Sequence, residues 1–297
     1  MYQEYFGFKT MPFNTTPDSR FFFPSSKHAE ALASLIYAIT EHKGFVVITG
    51  EVGSGKTTVC RTLLGKLDAG TNVLLITNTN ITCDELYEIL CARCGMDGMG
   101  MDKAKRLELF QDYLRRQHAS GIDVLLIIDE AQNLRAEVLE EIRMLSNIET
   151  ETEKLLQIIL LGQPELRRRL ALPELRQFRQ RIVVTYHLMP LDRAEAVQYI
   201  FYRLKIAGGT DKVKFTRRAM DEVYIYSKGV PRVINILCDN ALLTCFVRET
   251  RVITQKIVRE TARELGLTAD QALIGLGGSG EAAGQPVAEH GLEFETS

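Results

Sequence analysis

Between Phe45 and Leu64 the chain reads FVVITGEVGSGKTTVCRTLL. A short apolar, β-branched run meets a glycine-rich turn, and a helix-compatible stretch follows. That order predicts a buried strand, a tight loop and an outgoing helix. Gly50, Gly55, Lys56 and Thr57 fit the pattern G-x-x-x-x-G-K-[ST], with Gly53 also inside the turn. Glycines let the backbone curl so that its N–H groups converge on an anion. The helix start adds its positive end. Gly50, Glu51, Val52, Gly53, Ser54, Gly55, Lys56, Thr57 and Thr58 are therefore the candidate phosphate-binding residues. In such a loop the lysine reaches the β- and γ-phosphates, and the Thr57 hydroxyl can ligate Mg²⁺.

Four further runs resemble buried strands: VLLIT (73–77), VLLIID (124–129), LLQIILLG (155–162) and RIVVTYHL (181–188). Nearly continuous apolar runs predict strands covered on both faces, as in a parallel sheet. Helical patterns lie between them, which argues for an α/β doubly wound core. After Pro190 the strand signals stop. Four helical segments follow, opened by Asp192, Thr216, Val230 and Thr254. The expected organisation is an N-terminal segment and helix (1–44), an αβα core (45–189) and a small all-helical lid (190–267). A Gly-, Ala- and Glu-rich tail (268–297) reads as disordered.

The 297 residues suffice for about two domains. A net charge of −2 argues against a protein that coats polyanions generally. No apolar run approaches the ~20 residues of a membrane helix, and MYQEYFGFKTMPF lacks the pattern of a signal peptide. A cytoplasmic protein is expected. Cys91 and Cys94 form a lone C-x-x-C. Without a second pair of ligands at zinc spacing, they read as small residues near a helix end.

The run VLLIIDEAQNL ends in Asp129 and Glu130. An acidic pair at the carboxyl end of a buried strand sits at the crevice where ligands bind. Asp129 can hold Mg²⁺, partly through water, together with Thr57. Glu130 can take a proton from an attacking water. No N-K-x-D base-reading motif accompanies the loop, so the expected ligand is ATP with Mg²⁺ rather than GTP.

This plan resembles the AAA+ ATPases, in which a five-stranded P-loop core precedes a helical lid. The resemblance implies a γ-phosphate sensor after the fourth strand, here Gln163. It implies an arginine before the fifth strand that reaches a neighbouring subunit's ATP, with Arg176, Arg179 and Arg181 as candidates. It also implies a lid arginine that closes onto ATP, here Arg232. Arg176 and Arg179 share a face if helical. With the strand begun by Arg181, Arg179 becomes the favoured trans residue and Arg181 a structural one.

The segments MYQEYFGFKTMPFNTTPDSRFFFPSSKHAEALASLIYAI, GFVVITGEVGSGKTT, LLIIDEAQNL, LLGQPEL, LRQFRQRI and GVPRVINILCDNALL resemble, over about residues 1–265, the ExeA (general secretion pathway protein A) and MshM-like ATPase family. That resemblance places Pro12, Phe13 and His28 near the nucleotide base. It implies an ATP-dependent ring or filament serving an envelope machine for type II secretion, an MSHA-type pilus or exopolysaccharide export. The chain would then sit at the inner membrane through a partner. Family members that continue into a membrane helix and a peptidoglycan-binding domain differ from this chain, so direct cell-wall binding is not expected. Alternatives are a TniB/TnsC-like transposition ATPase that binds DNA, and a nucleotide-gated scaffold that hydrolyses slowly. A salt-sensitive shift with duplex DNA distinguishes the first of these.

Overall fold

The computed structural model describes residues 1–268 apart from Pro17, Asp68, Ala69, Thr152 and Thr210; the expected tail lies, from residue 269 onward, outside the described residues. Leaving short 3₁₀ turns aside, the order is α1 (Tyr2–Phe6), α2 (Ser26–Thr40), β1 (Phe45–Gly50), α3 (Lys56–Leu64), β2 (Thr71–Ile76), α4 (Cys83–Arg93), α5 (Lys103–Ala119), β3 (Asp123–Ile128), α6 (Ala136–Leu145), β4 (Gln157–Gly162), α7 (Pro164–Leu170), α8 (Arg176–Arg181) and β5 (Ile182–Leu188). There follow α9 (Arg193–Ile206), β6 (Lys214–Phe215), α10 (Arg217–Ser227), α11 (Pro231–Val247), β7 (Val252–Ile253) and α12 (Gln255–Glu264).

The five long strands form one parallel sheet in the order β2-β3-β4-β1-β5. Both faces are covered, and the two-residue period of a strand divides its side chains between them. Phe45, Val47, Leu126, Ile128, Ile158 and Leu160 point to one face and pack under α4, α5, α6 and α8. Val46, Ile48, Leu125, Ile127, Ile159 and Leu161 point to the other, under α2 and α3. β1 and β4 are buried along their whole length, which is why their sequences show no polar alternation. β1 lies between β4 and β5, while the chain leaving it crosses to β2 at the far edge. The resulting crevice opens at the carboxyl ends of β1, β3 and β4.

A second hydrophobic core gathers α9, α10, α11 and α12. Helix starts here follow the sequence signals. Asp192 accepts from the Glu195 N–H and Thr216 from the Ala219 N–H, while Pro231 opens α11. Two expectations need correction. The lid is not all-helical: Lys214–Phe215 and Val252–Ile253 pair as a short parallel ladder. A two-residue strand is too short for a periodic pattern to reveal it. The N-terminal segment also does not simply lead into the core. Tyr2, Phe6, Phe8 and Phe13 are buried in the lid's hydrophobic core, while α2 and Phe22 pack against the sheet-side core. The aromatic density of MYQEYFGFKTMPF is thus lid packing, and residues 14–25 connect the two cores.

Candidate nucleotide site

The loop after β1 has the geometry its glycines permit. Gly53 has φ of 78° and Gly55 has φ of 103°, a region that disfavours side chains. Space forbids side chains too. A Cβ on Gly53 would lie 2.3 Å from the Arg232 Cβ, and one on Gly55 2.9 Å from the His28 ring. Lys56 is buried at the start of α3, and its Nζ donates to the carbonyls of Gly50 at 2.8 Å and Glu51 at 3.0 Å. Burial pushes its ammonium pKa down, while Glu130 and Asp129 oppose that shift. The buried Ser54 Oγ has no hydrogen-bond partner among the described residues.

Asp129 and Glu130 follow β3 directly. Thr57 Oγ1 donates to Asp129 Oδ2 at 3.2 Å, and the Glu130 N–H donates to Asp129 Oδ1 at 2.9 Å. A hydroxyl and a carboxylate side by side form an all-oxygen donor set that suits Mg²⁺. Glu130 has φ of 55°, left-handed for a non-glycine residue. Its Oε2 accepts from Gln132 Nε2 at 2.6 Å and from Gln163 Nε2 at 3.1 Å. Burial pushes the Glu130 carboxyl up, but these two amides and the Lys56 charge outweigh it and hold the pKa below the usual carboxylate range. Glu130 is therefore ionised at neutral pH, as a proton acceptor must be.

A cleft of about 320 Å³ runs from this loop to the lid. Gly53, Lys56, Thr57, Thr58 and Glu130 line its core side, Tyr199, Arg203, Arg232 and Asn235 its lid side, and Asn14–Thr16 with Phe21–Phe23 its wall. The first turn of α11 touches the loop: the Arg232 N–H donates to the Gly53 carbonyl at 3.2 Å. His28 reaches the cleft and meets the Ser54 carbonyl through Nε2 at 3.0 Å, while its Nδ1 lies 2.7 Å from Ser25 Oγ. A carbonyl can only accept, so Nε2 carries the proton and Nδ1 accepts from Ser25. Burial lowers the His28 pKa and favours this neutral ring.

The other two N-terminal candidates do not line the cleft. Phe13 is buried in the lid core, and Pro12 offers only its carbonyl, to Arg203 Nε. The arginines before β5 stand apart from their own chain's cleft. Arg181 ends α8 instead of opening β5, and Arg176, Arg179 and Arg181 are all exposed. Arg181 is thus not packed against the sheet. Arg179 Nη1 donates to the Ala171 carbonyl at 3.2 Å, at the end of α7. Cys91 lies within α4 and Cys94 at its end.

Two contributors were missed. Gln132 bridges Glu130 and Gln163, and nothing in a tripeptide spacing marks it. Arg203 is buried on α9, with its guanidinium 4.6 Å from the Phe21 ring and bonded to Tyr199 Oη at 2.8 Å and the Asn14 carbonyl at 3.0 Å. A signal for Arg203 existed. It falls on the apolar stripe Ala196, Tyr199, Ile200, Leu204, where a charge is out of place.

Residues 39–170 match a family model described as an AAA domain. General secretion pathway protein A of Aeromonas hydrophila is 39% identical over 275 residues, covering 91% of this chain and 50% of that protein. The chain therefore spans about half the length of this curated relative. Among solved structures, the Aeropyrum pernix ORC2 protein superposes with a TM-score of 0.65 at 17% identity, over 86% of this chain and 72% of that one. The Thermotoga maritima RuvB Holliday junction branch migration motor superposes at 0.59 and 17%, over 85% and 72%. At such identities these two speak for the fold alone. The chain thus carries an AAA domain over residues 39–170 and is a relative of general secretion pathway protein A.

Proposed function

We propose that this chain binds ATP with Mg²⁺ in the cleft between core and lid and hydrolyses it within an oligomer. The observation that carries this reading is the grouping of Lys56, Thr57, Asp129 and Glu130 around one crevice, with Glu130 ionised. The loop N–H groups and Lys56 hold the phosphates. Thr57 and Asp129 hold Mg²⁺, which when bound neutralises phosphate charge. Glu130 takes the proton of the attacking water, and Gln163 stands beside it as sensor. Arg232 closes from the lid. Arg179, exposed beside Arg176 on α8, reaches the site of a neighbour, where a guanidinium suits the spread charge of phosphoryl transfer. The likeness to general secretion pathway protein A supports a role at an envelope-assembly machine, reached from the cytoplasmic side through a partner. No helix among the described residues is long and apolar enough to cross a membrane.

The shared site has a direct test. Light scattering should report a larger species with a slowly hydrolysed ATP analogue than with ADP. Lys56→Ala and Arg179→Ala should each be inactive alone, and a mixture of the two should recover part of the activity, because an intact site then meets an intact arginine. Normal turnover by Arg179→Ala alone removes it from the trans role, and a monomer that turns over fully with every nucleotide contradicts the shared site.

A further inference from the structure

Gln132 is used at both ends of its side chain. Its Nε2 donates to Glu130 Oε2 at 2.6 Å, and its Oε1 accepts from the Gln163 N–H at 3.0 Å. Gln163 Nε2 donates to that same Glu130 Oε2 at 3.1 Å. One carboxylate oxygen of Glu130 is thus held by two amides. The other, Oε1, has no hydrogen-bond partner among the described residues, and Glu130 lines the cleft. The backbone around this clamp is fixed as well. Arg169 of α7 donates to the Gln132 carbonyl, and Thr79 Oγ1 donates to the Glu130 carbonyl at 3.1 Å. Glu130 itself sits at a positive φ that surrounding contacts have to maintain.

The geometry points to Gln132 as the residue that positions the general base: with Gln163 it clamps Oε2 of Glu130 so that Oε1 is presented to the attacking water. This inference rests on the assignment of Glu130 as that base. Proton transfer depends steeply on placement, and a glutamate side chain left free has several rotamers to lose. The bridge to the Gln163 N–H also ties the base to the sensor position, so the two cannot move independently. A change at Gln132 leaves the charged neighbours of Glu130, Lys56 on α3 and Asp129 beside it, in place.

Gln132→Ala removes both ends of the bridge. Gln132→Glu keeps an acceptor for the Gln163 N–H but replaces the donor with a second carboxylate. Both variants should bind ATP within about twofold of the wild type, since neither touches the phosphate loop. Turnover should fall about tenfold or more. The loss should fall on kcat, with KM for ATP little changed, a split that a merely loosened site would not show. Thermal melting establishes that each variant folds. An unchanged kcat in both variants overturns the clamp, as does a loss of turnover carried by a matching rise in KM and weaker ATP binding. Glu130→Gln separates the two readings: if it turns over normally, the base assignment itself fails, whereas an inactive Glu130→Gln beside wild-type-like Gln132 variants overturns only the clamp.

Discussion

Glu130→Gln is expected to bind ATP as the wild type does and to release phosphate about 10²- to 10⁴-fold more slowly, the range for loss of a positioned general base. The substitution changes one oxygen to an amide nitrogen and leaves the shape of the site nearly intact. Its effect on folding is small by the same reasoning, although the amide is a weaker acceptor for Gln132 and Gln163. Equilibrium binding of a fluorescent ATP analogue and a phosphate-release assay on the same preparation measure both halves. With the proposed oligomer no longer reset by hydrolysis, the variant should also accumulate as the larger species.

Lys56→Ala fails at an earlier step. Its ammonium is a buried positive charge at the loop, bonded to the carbonyls of Gly50 and Glu51, and in the proposed complex it would meet phosphate instead. Charge-assisted hydrogen bonds are worth about 1.5–3 kcal/mol each, so loss of the side chain should raise the Kd for ATP by about 10²-fold or more. The same truncation strips two backbone acceptors of their partner, which lowers the stability of the nucleotide-free protein by about 1–3 kcal/mol. A thermal melt without nucleotide measures this second effect. The two variants are thus distinguishable: one loses binding and the other keeps it.

The parts of the site legible in the sequence are those in which one local segment supplies both the pattern and the chemistry. The loop after β1 is such a segment, because tight curvature demands glycines at fixed spacing and phosphate demands Lys56 within it. The five core strands were legible for a related reason: strands covered on both faces must be apolar throughout. Long-range placement was not legible. Phe13 and Phe21 look alike in sequence, yet one lies in the lid core and the other walls the cleft. That difference depends on how residues 14–25 travel between two cores. α8 extends through Arg181, the expected strand start, so β5 opens one residue later, since a run of arginines and glutamines carries no periodic signal to fix the boundary. Gln132 acquires its contacts only when the turn after β3 meets the end of β4, a meeting set by sheet order. Arg203 shows the converse, a misfit within a local helical stripe that points to a tertiary role.

Phosphate release by the purified chain with ATP, measured over a range of protein concentrations with Mg²⁺ and after its chelation, tests the proposed activity most directly. Release should be saturable in ATP, should require Mg²⁺, should rise more than in proportion to protein concentration as neighbours assemble, and should be lost in both Lys56→Ala and Glu130→Gln. Release no higher than that of Glu130→Gln at every protein concentration, with ATP bound, would contradict hydrolysis at this site.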